Sequence, residues 1–136
     1  MLRQTIISSI GRAVETLGYS FQPPAACAPK AQISQLPAAT IAPLKIVSTE
    51  GRKEPRVTYR VVLTLLSPHN FADADRESLW SVMERDAIEV YRVMELSTAV
   101  CSVSNFSATP ASRPLTRFGD CSLTAEFDVE AIYCIE

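Results

Sequence analysis

A single histidine, four cysteines and a short run of alternating carboxylates are the residues of this sequence best suited to chemistry. His69 is the one imidazole that could serve as base to a serine or cysteine nucleophile. It follows Pro68 in a segment that reads as a turn, where a solvent-facing side chain is the expected outcome. Cys27, Cys101, Cys121 and Cys134 contain no Cys-x-x-Cys pair, whereas tetrahedral zinc sites usually draw on two short-spaced pairs of ligands. Cys101, Cys121 and Cys134 fall on strand-like segments and are expected to behave as reduced, buried hydrophobes. An enzyme using Cys101 or Cys121 with carboxylates is the weakest alternative. Gly11, Gly18, Gly51 and Gly119 stand alone, so no glycine-rich loop can cradle a phosphate. No catalytic, cofactor-binding or metal-binding residue is expected, and the chain is read as a non-enzyme.

The carboxylates are Glu126, Asp128 and Glu130, which strand alternation puts on one face. General acid–base work would need one of them desolvated and shifted away from its neighbours. The plainer expectation is the solvated face of an amphipathic strand. A third reading is an acidic stripe that meets a basic patch on another copy or a partner. Arg52, Lys53 and Arg56 form the densest basic stretch, and they are the counterpart considered. These six residues are the candidate subunit or partner interface.

The elements that carry them follow from periodicity. Leu2, Ile6, Ile10, Ala13, Val14 and Leu17 advance by three and four, which predicts a helix over 2–17, stopped by Gly18 in a left-handed conformation. Residues 19–43 hold Pro23, Pro24, Pro29, Pro37 and Pro43, and a long surface excursion with a short extended piece at Ala31–Ser34 is expected. Leu44–Ser48 and Arg56–Leu66 read as strands, the second with Val57, Tyr59, Val61, Leu63 and Leu65 on one face. The polar link 49–55 predicts a hairpin with a long, charged, protruding tip.

A long helix is expected over Asp73–Leu96, with Leu79, Trp80, Met83, Ala87, Val90, Tyr91 and Met94 as its core stripe. Arg85 and Glu89 lie one turn apart on the other side. Val82, Ile88 and Val93 widen the apolar face. Deeper burial against a twisted sheet is the first expectation for them, and a second partner surface the alternative. Thr98–Phe106 and the alternating run Cys121–Ile135 complete the strands. A strand of that last length would approach ~50 Å, so a bulge or bend is expected in it.

The resulting fold class is α+β: a mixed or antiparallel twisted sheet of about four to five strands packed against two helices, with a long protruding hairpin. At 136 residues the chain is read as one domain spanning 1–136. Its 13 basic and 15 acidic residues are interspersed, without the basic face of a nucleic-acid-binding domain. No apolar run approaches the ~20 residues of a membrane helix, and the first helix lacks the unbroken apolar centre of a secretory signal. Synthesis and function in a cytosol are expected, with no membrane and no specific nucleic acid as partner.

Three stretches carry a family resemblance. Thr58-Tyr59-Arg60-Val61-Val62-Leu63-Thr64-Leu65-Leu66 looks like the central strand of bacteriophage tail terminator and tail-completion proteins, also called minor tail or head–tail joining proteins. Asp73–Leu96 is similar to their single long helix, and Ser122–Tyr133 to their closing strand. The resemblance extends from about Ile6 to Tyr133. It implies a homo-oligomeric ring, commonly a hexamer, that caps the tail tube, ends its polymerisation and joins it to a head-side connector protein. The implied partners are further copies of the chain, the tail tube protein and that connector. The implied location is the tail of the virion, assembled in the bacterial host cytoplasm. The alternative is a small α+β ligand-binding or regulatory module unrelated to phage, with a pocket between sheet and helices.

Overall fold

The computed structural model describes residues 2–22, 37–51, 55–68, 73–111 and 120–132. Helix α1 spans Leu2–Thr16 and buries Ile6, Ile10, Ala13 and Val14. It ends where expected: the Gly18 amide donates to the Glu15 carbonyl and Gly18 adopts φ +97°, a conformation that costs a Cβ-free residue little. Strands β1 (Ser20–Gln22), β2 (Ala38–Ile41), β3 (Lys45–Glu50) and β4 (Arg56–Pro68) follow. Helix α2 then covers Asp73–Leu96, and β5 (Ser102–Pro110) and β6 (Asp120–Ile132) close the fold.

All six strands belong to one sheet in the order β1-β2-β4-β6-β5, with β3 also pairing β4. Only β1–β2 is parallel. The α+β class and the mostly antiparallel sheet are as expected, but there are six strands where four to five were anticipated. The additional ones, β1 and β2, border and end the proline-rich stretch. They are three and four residues long, too short for alternation to register. Ala31–Ser34 lies outside the described residues, as do Arg52, Lys53 and Glu54 at the link between the antiparallel pair β3 and β4.

The core is one layer between sheet and helices. On β4, Val57, Tyr59, Val61, Leu63 and Leu65 are buried, and their cross-strand partners on β6 are Ala131, Val129, Phe127, Ala125 and Leu123. Helix α2 lies chiefly on β6 and β5, and α1 packs beside it against β1. Phe127 is the aromatic centre of the core: Tyr91 of α2 meets it edge-on at 5.4 Å, and Tyr91 also meets Phe106 of β5, tilted, at 5.1 Å. Trp80 Nε1 donates to the Ser122 carbonyl at 3.0 Å and pins the start of α2 to β6.

Two departures concern the final strands. β5 begins at Ser102 and runs to Pro110, where Thr98–Phe106 was expected. Residues 98 and 99 form a turn instead, and the edge strand continues through Ser107, Ala108 and Thr109. Among the described residues the last strand carries no bulge, because β6 pairs with β4 in unbroken register from Asp120 to Ile132, and residues 133–135 lie outside the described residues. The extra residue sits on β5 instead: Ser104 faces Asp128 and Ser107 faces Glu126. Asn105 takes φ +58° there, a left-handed geometry that asparagine tolerates better than most residues.

The Tyr19 hydroxyl ties the turn after α1 to helix α2. It donates to Asp86 Oδ2 at 2.7 Å in a buried setting. Burial first, and the hydrogen bond to Asp86 second, push the phenol pKa up, so Tyr19 stays protonated and able to donate. Arg85 also reaches Asp86, at 3.4 Å, instead of the expected partner Glu89. Tyr19→Phe removes one buried donor and should lower unfolding free energy by about 1 kcal/mol, measured by urea denaturation. An unchanged midpoint would mean that the Arg85 contact alone satisfies the carboxylate.

Candidate functional site

Two surfaces merit description as sites, and the first is the sheet face away from the helices. Alternation puts Arg56, Thr58, Arg60 and Val62 of β4 on this face, opposite Ile132, Glu130, Asp128 and Glu126 of β6. Arg56 Nη1 pairs with Glu130 Oε1 at 3.4 Å, and Arg60 Nε with Asp128 Oδ1 at 3.1 Å. The three carboxylates therefore share a face, as alternation requires, but their surroundings differ. Glu126 is exposed, Glu130 is half-buried, and Asp128 is buried. The expectation of a uniformly solvated acidic stripe fails at Asp128.

Asp128 is buried because two strands converge on it. Arg60 reaches it from β4, and Asn105 Nδ2 donates to its second oxygen at 2.9 Å from the bulge of β5. Burial alone would raise its pKa. The hydrogen bonds from Arg60 and Asn105, together with the Arg60 charge, outweigh that and hold the carboxyl below the usual carboxylate range. This carboxylate is thus kept ionised, the reverse of what a general acid near neutral pH needs. Asp128 is the lock of the β5 bulge.

Of the six interface candidates, the structure brings Arg56 and Glu130 together within one chain, keeps Glu126 exposed and holds Asp128 in its own network. Arg52 and Lys53 lie outside the described residues. His69, Cys27 and Cys134 do as well. Cys121 is buried as expected, but Cys101 is exposed just before β5. It falls short of the strand on which burial was predicted. Among the described residues, no three His, Cys, Asp or Glu side chains gather as metal ligands would.

The second surface is one that periodicity understated. Val82, Ile88 and Val93 of α2 are not driven into the sheet: they are 43%, 48% and 39% exposed, and Leu96 is 81% exposed. Val93 and Leu96 join Ala13, Leu17 and Val90 in a groove of about 580 Å³ between the C-terminal halves of α1 and α2. Arg12 stands on the α1 side and Glu89 on the α2 side. The excess of apolar residues on α2 was the available signal. It could not say that Val93 faces a neighbouring helix end while Val82 and Ile88 stand exposed outside the groove.

No protein-family model matches this sequence, and no curated protein sequence does. Solved structures do match in fold. One is a chain in the virion of a native gene transfer agent (GTA) particle, with a TM-score of 0.50 and 10% sequence identity. The match covers 91% of this chain and 84% of that one. The likeness is one of fold, and it takes in nearly the whole of both chains.

Proposed function

We propose that this chain is a structural subunit of a phage-like particle. In this reading it forms a ring that caps the tail tube, ends tube polymerisation and joins the tube to the head connector. The observation that carries the reading is the fold shared, nearly end to end, with a chain of a gene transfer agent virion. Its mechanism is geometric: heterologous contacts that close into a ring end what would otherwise extend as a tube. The chain acts by assembly, without catalysis or a cofactor, in the virion tail after assembly in the host cytoplasm.

The test is to mix the purified chain with tail tube protein and inspect negatively stained tubes. Capped tubes of uniform length support the reading; unrestricted tubes, with the chain monomeric at high concentration by light scattering, overturn it. Within this reading Arg52, Lys53 and Arg56 are contact residues. Arg52→Glu, Lys53→Glu and Arg56→Glu together should weaken assembly. The melting temperature should move by no more than about 3 °C, since the Arg56–Glu130 pair is exposed and such pairs contribute about 0–1 kcal/mol. Normal assembly of the triple variant would remove these three residues as a contact.

A further inference from the structure

At the Arg56 end of β4 the described sheet runs β3-β4-β6-β5, and among the described residues both outer strands have an open edge there. Every neighbouring pair in that order is antiparallel, so β3 and β5 run in opposite directions. A second copy set beside the first in the same orientation therefore brings its β3 antiparallel to β5. Successive subunits of a ring keep that relation of two different patches.

The two edges also match in their irregularities. β3 steps from Ile46, opposite Tyr59, to Ser48, opposite Thr58, and so holds one extra residue, Val47. β5 steps from Ser104, opposite Asp128, to Ser107, opposite Glu126, and likewise holds one extra residue. A regular strand laid along either edge would agree in face on one side of the bulge and be inverted on the other. Laid on each other with Val47 opposite Asn105, the two strands agree throughout. On the polar face Lys45, Ser48 and Glu50 meet Ser107, Ser104 and Ser102. On the helix face Ile46 and Thr49 meet Phe106 and Val103. Bulges and edge charges deter indiscriminate edge pairing, yet here they leave these two edges free to pair with one another.

The side chains suit this register. Ile46, 46% exposed, gains the half-buried Phe106 as its cross-strand neighbour. Lys45 lies over Ser107, and the next residue across the sheet is the exposed Glu126. Neither Lys45 nor Glu126 makes an ion pair among the described residues. β5 itself carries no charge that would repel either end of β3.

We propose that β3 of one copy adds to the open edge of β5 in the next, with Ile46 opposite Phe106 and Lys45 directed towards Glu126. Main-chain hydrogen bonds along the shared edge supply the affinity, and the matched bulges fix the register. Either edge pairing with its own copy about a two-fold axis would join two chains and stop, whereas β3 on β5 repeats from copy to copy. The inference rests on the ring reading and supplies its interface.

The experiment uses the full chain, with tail tubes present, and mixes separately purified variants before oxidation. Ser48→Cys is mixed with Ser104→Cys, and Lys45→Cys with Ser107→Cys; two pairs are used because opposed residues alternate between narrow and wide spacing. At least one mixture should give cross-linked dimers, and no component alone should exceed the wild-type level. Ile46→Asp should weaken association about tenfold in sedimentation velocity, as loss of an apolar cross-strand pair at an interface does. It should leave the melting transition in place, because Ile46 is already largely exposed. Cross-links from one component alone indicate an edge pairing with itself and overturn the contact. A wild-type chain that assembles, with no cross-link in either mixture or no effect of Ile46→Asp, refutes this interface and leaves the ring reading standing. A wild-type chain that neither assembles nor caps tubes refutes both.

Discussion

Phe127→Ala should cost about 3–5 kcal/mol of unfolding free energy, the usual range for emptying a large aromatic site in a core. Phe127 is 1% exposed and lies mid-strand on β6, opposite Val61. Its ring contacts Tyr91 at 5.4 Å and stacks near Phe106 at 6.4 Å, so it joins α2, β5 and β6 at one point. The surroundings are poorly able to collapse into the gap, since β6 is held on both sides by strand pairing. For a domain of this size the loss corresponds to a melting temperature lower by roughly 10–20 °C. Phe127→Leu keeps most of the volume and should cost less than half as much. Calorimetry on both variants checks this. Equal losses would show that ring–ring geometry, and not volume, carries the contribution.

Asp128→Asn should cost about 2–3 kcal/mol at pH 7, the scale of hydrogen bonds to a charged group. Arg60 and Asn105 both lose an anionic acceptor, and the bulge of β5 loses its lock. The effect should depend on pH with a definite sign. The folded-state pKa of Asp128 is depressed, so its contribution is fully present above the unfolded aspartate value of about 3.9. It is lost as pH falls through the lower, folded value, where the wild-type side chain is also neutral. The difference between wild type and Asp128→Asn should therefore shrink towards zero in strong acid. Denaturant titrations at pH 7 and at successively lower pH measure it. A difference that stays constant down the acid limb would assign the loss to shape and not to charge.

These two neighbours also show what periodicity can and cannot tell. Alternation puts Phe127 in the core and Asp128 on the other face, and both placements hold. Helix α2 begins and ends where its apolar stripe and Leu96 suggested, and Gly18 stops α1. These features are local, set by 3.6- and two-residue repeats that a reader can count. The burial of Asp128 is not local. It depends on Arg60 arriving from a strand 68 positions earlier and on Asn105 arriving from a bulge. One-strand alternation cannot supply that register. β2 escaped notice for a related reason. Its four residues Ala38–Ile41 are all buried, so they show no alternation, and prolines flank them at positions 37 and 43. Cys101 lies one residue before the start of β5, an edge strand rich in serine where the apolar pattern is too weak to fix the boundary. The groove was half legible, as an apolar surplus on α2 without a destination.

The long ladder between β4 and β6 has a temporal side. Its nearest pair joins Pro68 to Asp120 and its farthest joins Arg56 to Ile132, with all of α2 and β5 in the intervening chain. Closing so large a loop is entropically slow, and chains dominated by such distant pairings fold on the slower millisecond-to-second scale. Synthesis proceeds at about 5–20 residues per second, so β4 leaves the ribosome several seconds before β6 exists to cover it. During that interval an apolar strand edge stands open. Helix α2, which lies between the two strands in the chain, is synthesised before the strand it packs on.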